Sequence, residues 1–448
     1  MIFYEKNFRI AIAIALFGSL LVGYTTGVIS GAGSVLAVPG QFNMDIIHQS
    51  FLLTIIMLQF SAALGSLLAG FFCDKYGRKR ILLFMAGLFL IAIVLSILAK
   101  TVSLVLISRC VLGLAIGGTS VVTLLYLTEI SPTRNRGKTV TRHFMLMAIG
   151  QLMALVFNAL IVMYSGSTTT SWHYTLAVAI VLAIIFIIAL LKLPESFRFL
   201  ASKNCIEEAT ATLNNLHSEL QTKLTLDRIT ENKDKPVKFT KLLLVGLGLV
   251  CVNQITGINT VLFYVTQLLK SFAFTDEAIL AGNIANSIVC IFSLYVGLVM
   301  MDFFRRKTIL LSGLSGITVV LILMSFILHI LPENIVLLDI MLAFSLAYVV
   351  FFYACIFSVT YLIICEIFPQ ASRGLAVGLI VAILWLFNFI TTFVLPVLVF
   401  PAILKVIGVE NIFVIFAILS VLSLLFVYKA VPETKFIFLE DLEQKLNE

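Results

Sequence analysis

The chain has 448 residues, 61% hydrophobic and only 12% charged, with a mean hydropathy of +1.12. A soluble domain is about a quarter charged, so the composition excludes a water-soluble globule and points to a bilayer, where about 20 apolar residues span the hydrocarbon as a helix. The net charge of +7 would suit a nucleic-acid partner, but the basic residues sit in alternate loops, so none is expected.

The first predicted span covers about residues 8–32 and contains GYTTGVISGAG, rich in small residues that allow close helix contact. A long outer loop with Pro39, Asp45 and His48 follows, then spans at about 51–73, 81–99, 102–128, 139–164 and 173–193. The apolar first run continues into further spans, so no cleavable signal peptide is expected. The one long polar interval, Pro194 to Lys241, reads as a water-exposed bridge, and Ile206, Leu213, Leu216 and Leu220 at near-helical spacing predict short amphipathic helices within it. Beyond it, spans are predicted at about 242–270, 278–301, 308–330, 336–364, 374–403 and 408–431. The runs lack the period-two alternation of a barrel. The expected fold is therefore an all-α membrane protein with twelve transmembrane helices. Residues 1–193 form an N-terminal six-helix bundle, 194–241 a cytoplasmic helical linker, 242–431 a C-terminal six-helix bundle and 432–448 a cytoplasmic tail.

Among the thirty Lys and Arg, only Lys100, Lys270 and Lys405 fall in the opposite set of loops, and only Arg109 lies well inside a span. This positive-inside bias places both termini and the bridge in the cytoplasm. The seven cysteines have no metal-like spacing, so they read as apolar packing, with no metal and no cofactor expected.

Corresponding inner ends repeat. Glu129-Ile130-Ser131-Pro132 with Arg136-Gly137 is matched by Glu366-Ile367-Phe368-Pro369 with Arg373-Gly374, and Pro194-Glu195-Ser196 by Pro432-Glu433-Thr434. The loop Asp74, Lys75, Gly77, Arg78, Lys79, Arg80 is echoed by Asp302, Arg305, Arg306, Lys307. The offsets are 237, 238 and 228 residues, the mark of a duplicated six-helix unit and an architecture known in transporters.

The segments GFFCDKYGRKR, YLTEISPTRNRG with its echo YLIICEIFPQASRG, PESFRFL, NQITGIN, WLFNF and PETK together resemble the sugar porter family of the major facilitator superfamily, over about residues 20–440. The resemblance implies two pseudo-symmetric bundles rocking about a central site and a small-molecule sugar or polyol as substrate; compact loops and the lack of an Asn-x-Ser/Thr sequon point to a bacterial inner membrane, and a monomer is expected. It implies substrate-binding roles for Gln151, Asn253, Gln254, Asn259, Tyr264, Tyr361, Trp385 and Asn388, with Gly257 loosening its helix for gating. Amides suit hydroxyl-rich guests because they both donate and accept, and an aromatic face covers the apolar side of a sugar ring.

Several positions depart from the family pattern. Asn253 stands for the first Gln of a pair, Tyr361 for a Trp, Phe144 for a Gln and Cys290 for an Asn, giving a less polar cavity. In proton-coupled relatives an Asp in the first span neighbours the Arg that corresponds to Arg109; here that position is Thr25. No other acid is expected at mid-depth, so facilitated transport is expected, with Thr25 helping to hold Arg109 and proton symport as the alternative. Asp74, Arg78, Glu129, Arg136, Glu195, Asp302, Arg306, Glu366, Arg373 and Glu433 are expected to pair at the inner helix ends as a gate-state latch. As surface pairs each would be worth roughly 0–1 kcal/mol. An enzyme is not expected, since paired interior carboxylates, a metal cluster and a nucleophile elbow are all missing from the sequence. Nor is a signalling sensor, because the chain ends about seventeen residues past the last span.

Overall fold

A computed structural model describes residues 2–36, 47–165, 168–216, 239–262, 276–331, 335–391, 409–435 and 437. The described residues hold no strand. Their helices are α1 (Ile2–Leu36), α2 (Ile47–Tyr76), α3 (Arg78–Ile97), α4 (Val102–Ile130), α5 (Arg136–Ser165), α6 (Thr168–Leu191), the short α7 (Phe197–Ser202) and α8 (Ile206–Leu216), α9 (Phe239–Ile255), α10 (Asp276–Phe303), α11 (Arg306–Ile330), α12 (Ile335–Phe351), α13 (Ser358–Ile367), α14 (Arg373–Phe389) and α15 (Val409–Ala430). A π-helical segment, Phe352–Phe357, joins α12 to α13 into one long span. Eleven described helices are long and apolar enough to cross a bilayer, and α14 is a shorter apolar helix whose continuation past 391 lies outside the described residues.

The polarity of the molecule is inverted relative to a soluble protein. Large apolar side chains point outward at helical spacing, as in Phe60, Leu64, Leu68 and Phe71 on α2 and Ile184, Ile188 and Leu191 on α6. The largest fully buried side chains include Arg78, Arg109, Arg136 and Arg373. Only a hydrocarbon solvent makes that arrangement favourable, since exposed apolar bands of this extent are not tolerated in water. The chain is an integral membrane protein.

The Cα positions group into two compact units. Unit 1 comprises residues 1–243, 362–385 and 436–448, and unit 2 comprises 244–361 and 386–435. In unit 1, α2 packs along α4, α1 along α5, and α3 against α4 and α6. Glycines set these approaches: a Cβ on Gly23 would lie 1.9 Å from the Met147 carbonyl oxygen of α5, and one on Gly117 1.9 Å from that of Ala62 in α2. In unit 2, α11 packs against α15 and α12, and α10 against the π-helical segment.

The bridge forms α7 and α8, and α8 packs on α7 and α1. Its buried stripe is Ala209, Leu213 and Leu216. Ile206 of the expected stripe is 40% exposed, because it opens the helix, and Leu220 lies outside the described residues.

Because the approach at Gly117 is backbone to backbone, Gly117→Ala should destabilise the protein by about 1–3 kcal/mol through overpacking. Gly87, where a Cβ meets nothing within 4 Å, should accept Ala without loss. Thermal unfolding of the two variants in detergent micelles checks the contrast.

Candidate functional site

Two polar constellations stand out, one in each unit. In unit 1 the tight turn at Gly77, whose φ of 98° suits a glycine, delivers Arg78 to the start of α3. Its Nη2 donates to Glu129 Oε1 at 2.7 Å and to Asp74 Oδ1 at 3.2 Å, and Nη1 donates to the Cys73 carbonyl at 3.1 Å. The Phe199 ring lies 5.2 Å from the guanidinium. Glu129 also accepts from the Ser196 hydroxyl and, at 3.4 Å, from Gln370 Nε2. Ser196 in turn caps α7, accepting from the Phe199 amide.

A second ion pair, Arg136 Nη1 to Glu366 Oε1 at 3.0 Å, joins the start of α5 to the end of α13 within this unit. Arg373 donates to the Phe368 carbonyl at 2.9 Å and to the Gln370 side-chain oxygen. These charges are not surface pairs, contrary to the expectation from sequence. Arg78, Arg136, Glu129 and Glu366 are each at most 1% exposed, because helices α2, α4, α5, α13 and α14 converge here. Breaking a buried pair costs about 3–5 kcal/mol, well above a surface pair.

Three of the expected acids act on backbone amides. Glu195 accepts from the Arg78 and Lys79 amides at 2.9 and 3.2 Å, and Glu433 accepts from the Arg306 and Lys307 amides at 3.2 and 3.1 Å. Each carboxylate thus sits on the open N–H groups at the start of the corresponding helix, α3 or α11, where the helix dipole favours an anion. Burial pushes the Glu195 carboxyl above its usual range, against the amides and Arg78, which pull it down. Asp74 does the same at α14, accepting from the Gly374 and Leu375 amides at 3.2 and 2.9 Å. In unit 2, Arg306 Nη1 donates to the Thr434 hydroxyl at 3.3 Å, and the Asp302 carbonyl accepts from Lys435 Nζ at 2.8 Å.

The expected contact between Thr25 and Arg109 does not form. The Thr25 hydroxyl donates to the Leu21 and Val22 carbonyls of its own helix, at 2.9 and 3.1 Å. Arg109 is 1% exposed, and its Nε and Nη1 have no hydrogen-bond partner among the described residues. The glycines along its ridge, Gly113 and Gly117, abut α2, so this face of α4 is committed to the second span.

The unit 2 constellation is uncharged. Helix α9 ends at Ile255, Gly257 takes a φ of 88°, and helix resumes at residue 258. The freed Thr256 carbonyl accepts from the Tyr348 hydroxyl at 2.7 Å. Around this break lie Asn253 and Gln254, both buried, and Asn259, half-buried. Asn259 Nδ2 donates to the Thr391 hydroxyl at 2.8 Å, and that hydroxyl reaches Gln254 Oε1 at 3.3 Å and the Asn388 carbonyl at 3.2 Å. Asn253 Nδ2 is buried without a partner among the described residues.

Tyr361 is buried against Phe357, with ring centroids 5.4 Å apart. Gln151 is exposed on α5, Trp385 is half-buried, and both belong to unit 1. Tyr264 lies outside the described residues. Thr391 was not singled out from sequence, because it is 132 residues from Asn259 and carries no motif. The seven cysteines are free thiols, and among the described residues no group of His, Cys, Asp and Glu could hold a metal ion.

The family model described as "Sugar (and other) transporter" matches residues 11–446. The putative metabolite transport protein YncC of Bacillus subtilis is 35% identical, over 98% of this chain and 95% of its own length. The major myo-inositol transporter IolT of the same organism is 34% identical, over 97% and 93%. Among solved structures, the proton:xylose symporter XylE of the major facilitator superfamily, bound to 6-bromo-6-deoxy-D-glucose, superposes with a TM-score of 0.88 at 25% identity, covering 99% of each chain.

Glu366→Gln strands the Arg136 cation and should cost about 3–5 kcal/mol of stability, whereas the double variant Arg136→Met/Glu366→Leu should cost less than either single change. Unfolding in detergent of all three variants reads this ordering.

Proposed function

The chain belongs to the sugar (and other) transporter family, and from that premise we propose that it carries a monosaccharide or related polyol across the membrane by facilitated passage. The observation that carries the uncharged cargo is the unit 2 cluster. Gln254, Asn259 and Asn388, with the Thr391 hydroxyl hydrogen-bonded among them, offer donors and acceptors beside a helix break and no net charge. Such a set matches hydroxyls and offers nothing to neutralise a carboxylate or an ammonium. Within unit 2, Tyr361 supplies an aromatic face in this reading and Asn253 adds an amide.

Facilitated passage is supported by the disposition of the acids. Among the described spans, Asp74, Glu129, Asp302, Asp339 and Glu366 all lie near helix ends. Thr25 cannot take up a proton from Arg109's surroundings as a carboxylate would. Proton symport is the second reading, favoured by the likeness to a proton:xylose symporter. The charge cluster of unit 1 acts as a latch in the cycle: its pairs form in one state and must part when the inner side opens. Both termini face the cytoplasm of a bacterium, in accord with the positive-inside bias.

Purified protein in proteoliposomes should exchange radiolabelled myo-inositol, D-xylose or D-glucose in counterflow. Under an inward proton gradient the internal concentration of the exchanged probe should rise only to the external one. One-to-one symport would instead drive the ratio up about tenfold per pH unit.

A further inference from the structure

The hydroxyl of Thr391 decides how the unit 2 cluster can meet a guest. A hydroxyl has one proton and two lone pairs, so it serves two amides most fully by accepting from one and donating to the other. The geometry has that form: Oγ1 accepts from Asn259 Nδ2 at 2.8 Å, and its proton has Gln254 Oε1 at 3.3 Å and the Asn388 carbonyl at 3.2 Å within reach. When that proton goes to Gln254, the two bonds engage the acceptor end of Gln254 and a donor of Asn259. Among the described residues neither Gln254 Nε2 nor Asn259 Oδ1 makes a hydrogen bond to the rest of the chain. Gln254 is 4% exposed, so an amide turned the wrong way there would leave a polar atom unsatisfied at a cost.

We infer that Thr391 is a positioning residue that sets substrate specificity by fixing these two amides in opposite senses. Gln254 is held with its NH2 group available as a donor, and Asn259 with its carbonyl oxygen available as an acceptor. The pair then takes a guest that offers an accepting oxygen to one and a donating hydroxyl to the other, which two hydroxyls of a single polyol provide. A guest without the donating hydroxyl, such as a keto analogue that only accepts there or a deoxy analogue that does neither, meets Asn259 Oδ1 without a proton and binds less well. The inference rests on the reading of this cluster as the place where the carrier meets its cargo.

Counterflow in proteoliposomes tests it, using whichever of myo-inositol, D-xylose and D-glucose the wild type exchanges, together with singly deoxygenated analogues of that probe as competitors. Wild type should discriminate against at least one deoxy analogue by about tenfold or more, the worth of one well-made hydrogen bond in a dry site. Thr391→Val removes the hydroxyl at nearly constant volume. It should raise KM for the parent about tenfold with the maximal rate within about twofold, while affinity for the discriminated analogue barely changes, so that selectivity collapses. Thr391→Ser keeps the hydroxyl and should keep both KM and selectivity. A merely structural role would lower the yield of active protein without altering the ratio of parent to analogue. Should Thr391→Val not give monodisperse protein, Thr391→Ala carries the same expectation. Unchanged selectivity in either hydroxyl-free variant overturns the inference. Wild-type protein that exchanges none of the probes overturns the carrier reading itself, and the inference with it.

Discussion

A charge in a low-dielectric interior is costly unless it is paired, and where the helix ends of unit 1 converge two buried ion pairs meet that constraint. Arg78 and Arg136 are each only 1% exposed, and each is held by a carboxylate brought from a different helix. Neither arginine could be accommodated alone without a penalty of several kcal/mol. The pairing therefore fastens the ends of α4 and α13 to the starts of α3 and α5, while Asp74 fastens α2 to the start of α14. Residues 362–385, which carry Glu366 and the start of α14, group with the first stretch of the chain.

The same economy explains why the acids are so few and so placed. Each of Glu195, Glu433 and Asp74 neutralises open amides at a helix start, a role that a positive side chain cannot fill. Duplication is visible at this level: the carboxylate after one half's last span caps the third helix of that half, in both halves, through the same two successive amides. The uncharged cluster of unit 2 follows the opposite logic. In the proposed role its groups would release a guest as readily as they bind one, because a neutral hydrogen bond exchanged for water has a net worth of only about 1 kcal/mol.

Much of this was legible in the sequence, for identifiable reasons. Long apolar runs force helices in a bilayer, so the all-α membrane fold could be read directly, and the repeat of Glu-Ile-x-Pro with Arg-Gly marked equivalent helix ends. Burial of the charge cluster was not legible, since a run such as Asp74 to Arg80 looks solvated until other helices close over it. Nor was the fate of Thr25: a hydroxyl in a helix competes for its own carbonyls at i−3 and i−4, and here those carbonyls win over Arg109. Gly257 announced a weak point within its span, but the partner that answers the break, Tyr348, lies 92 residues on. Thr391 carried no motif at all; only folding reveals it between two amides.

The proposed latch is tested most directly by distance. Spin labels at Asn135 and Ser372, which immediately precede α5 and α14 in unit 1, can be followed by pulsed electron resonance in nanodiscs with and without Glu366→Gln. If the pair holds the inner ends together, wild type shows a dominant short distance and the variant shifts population to a longer one. An identical single distribution in both proteins would contradict the latch.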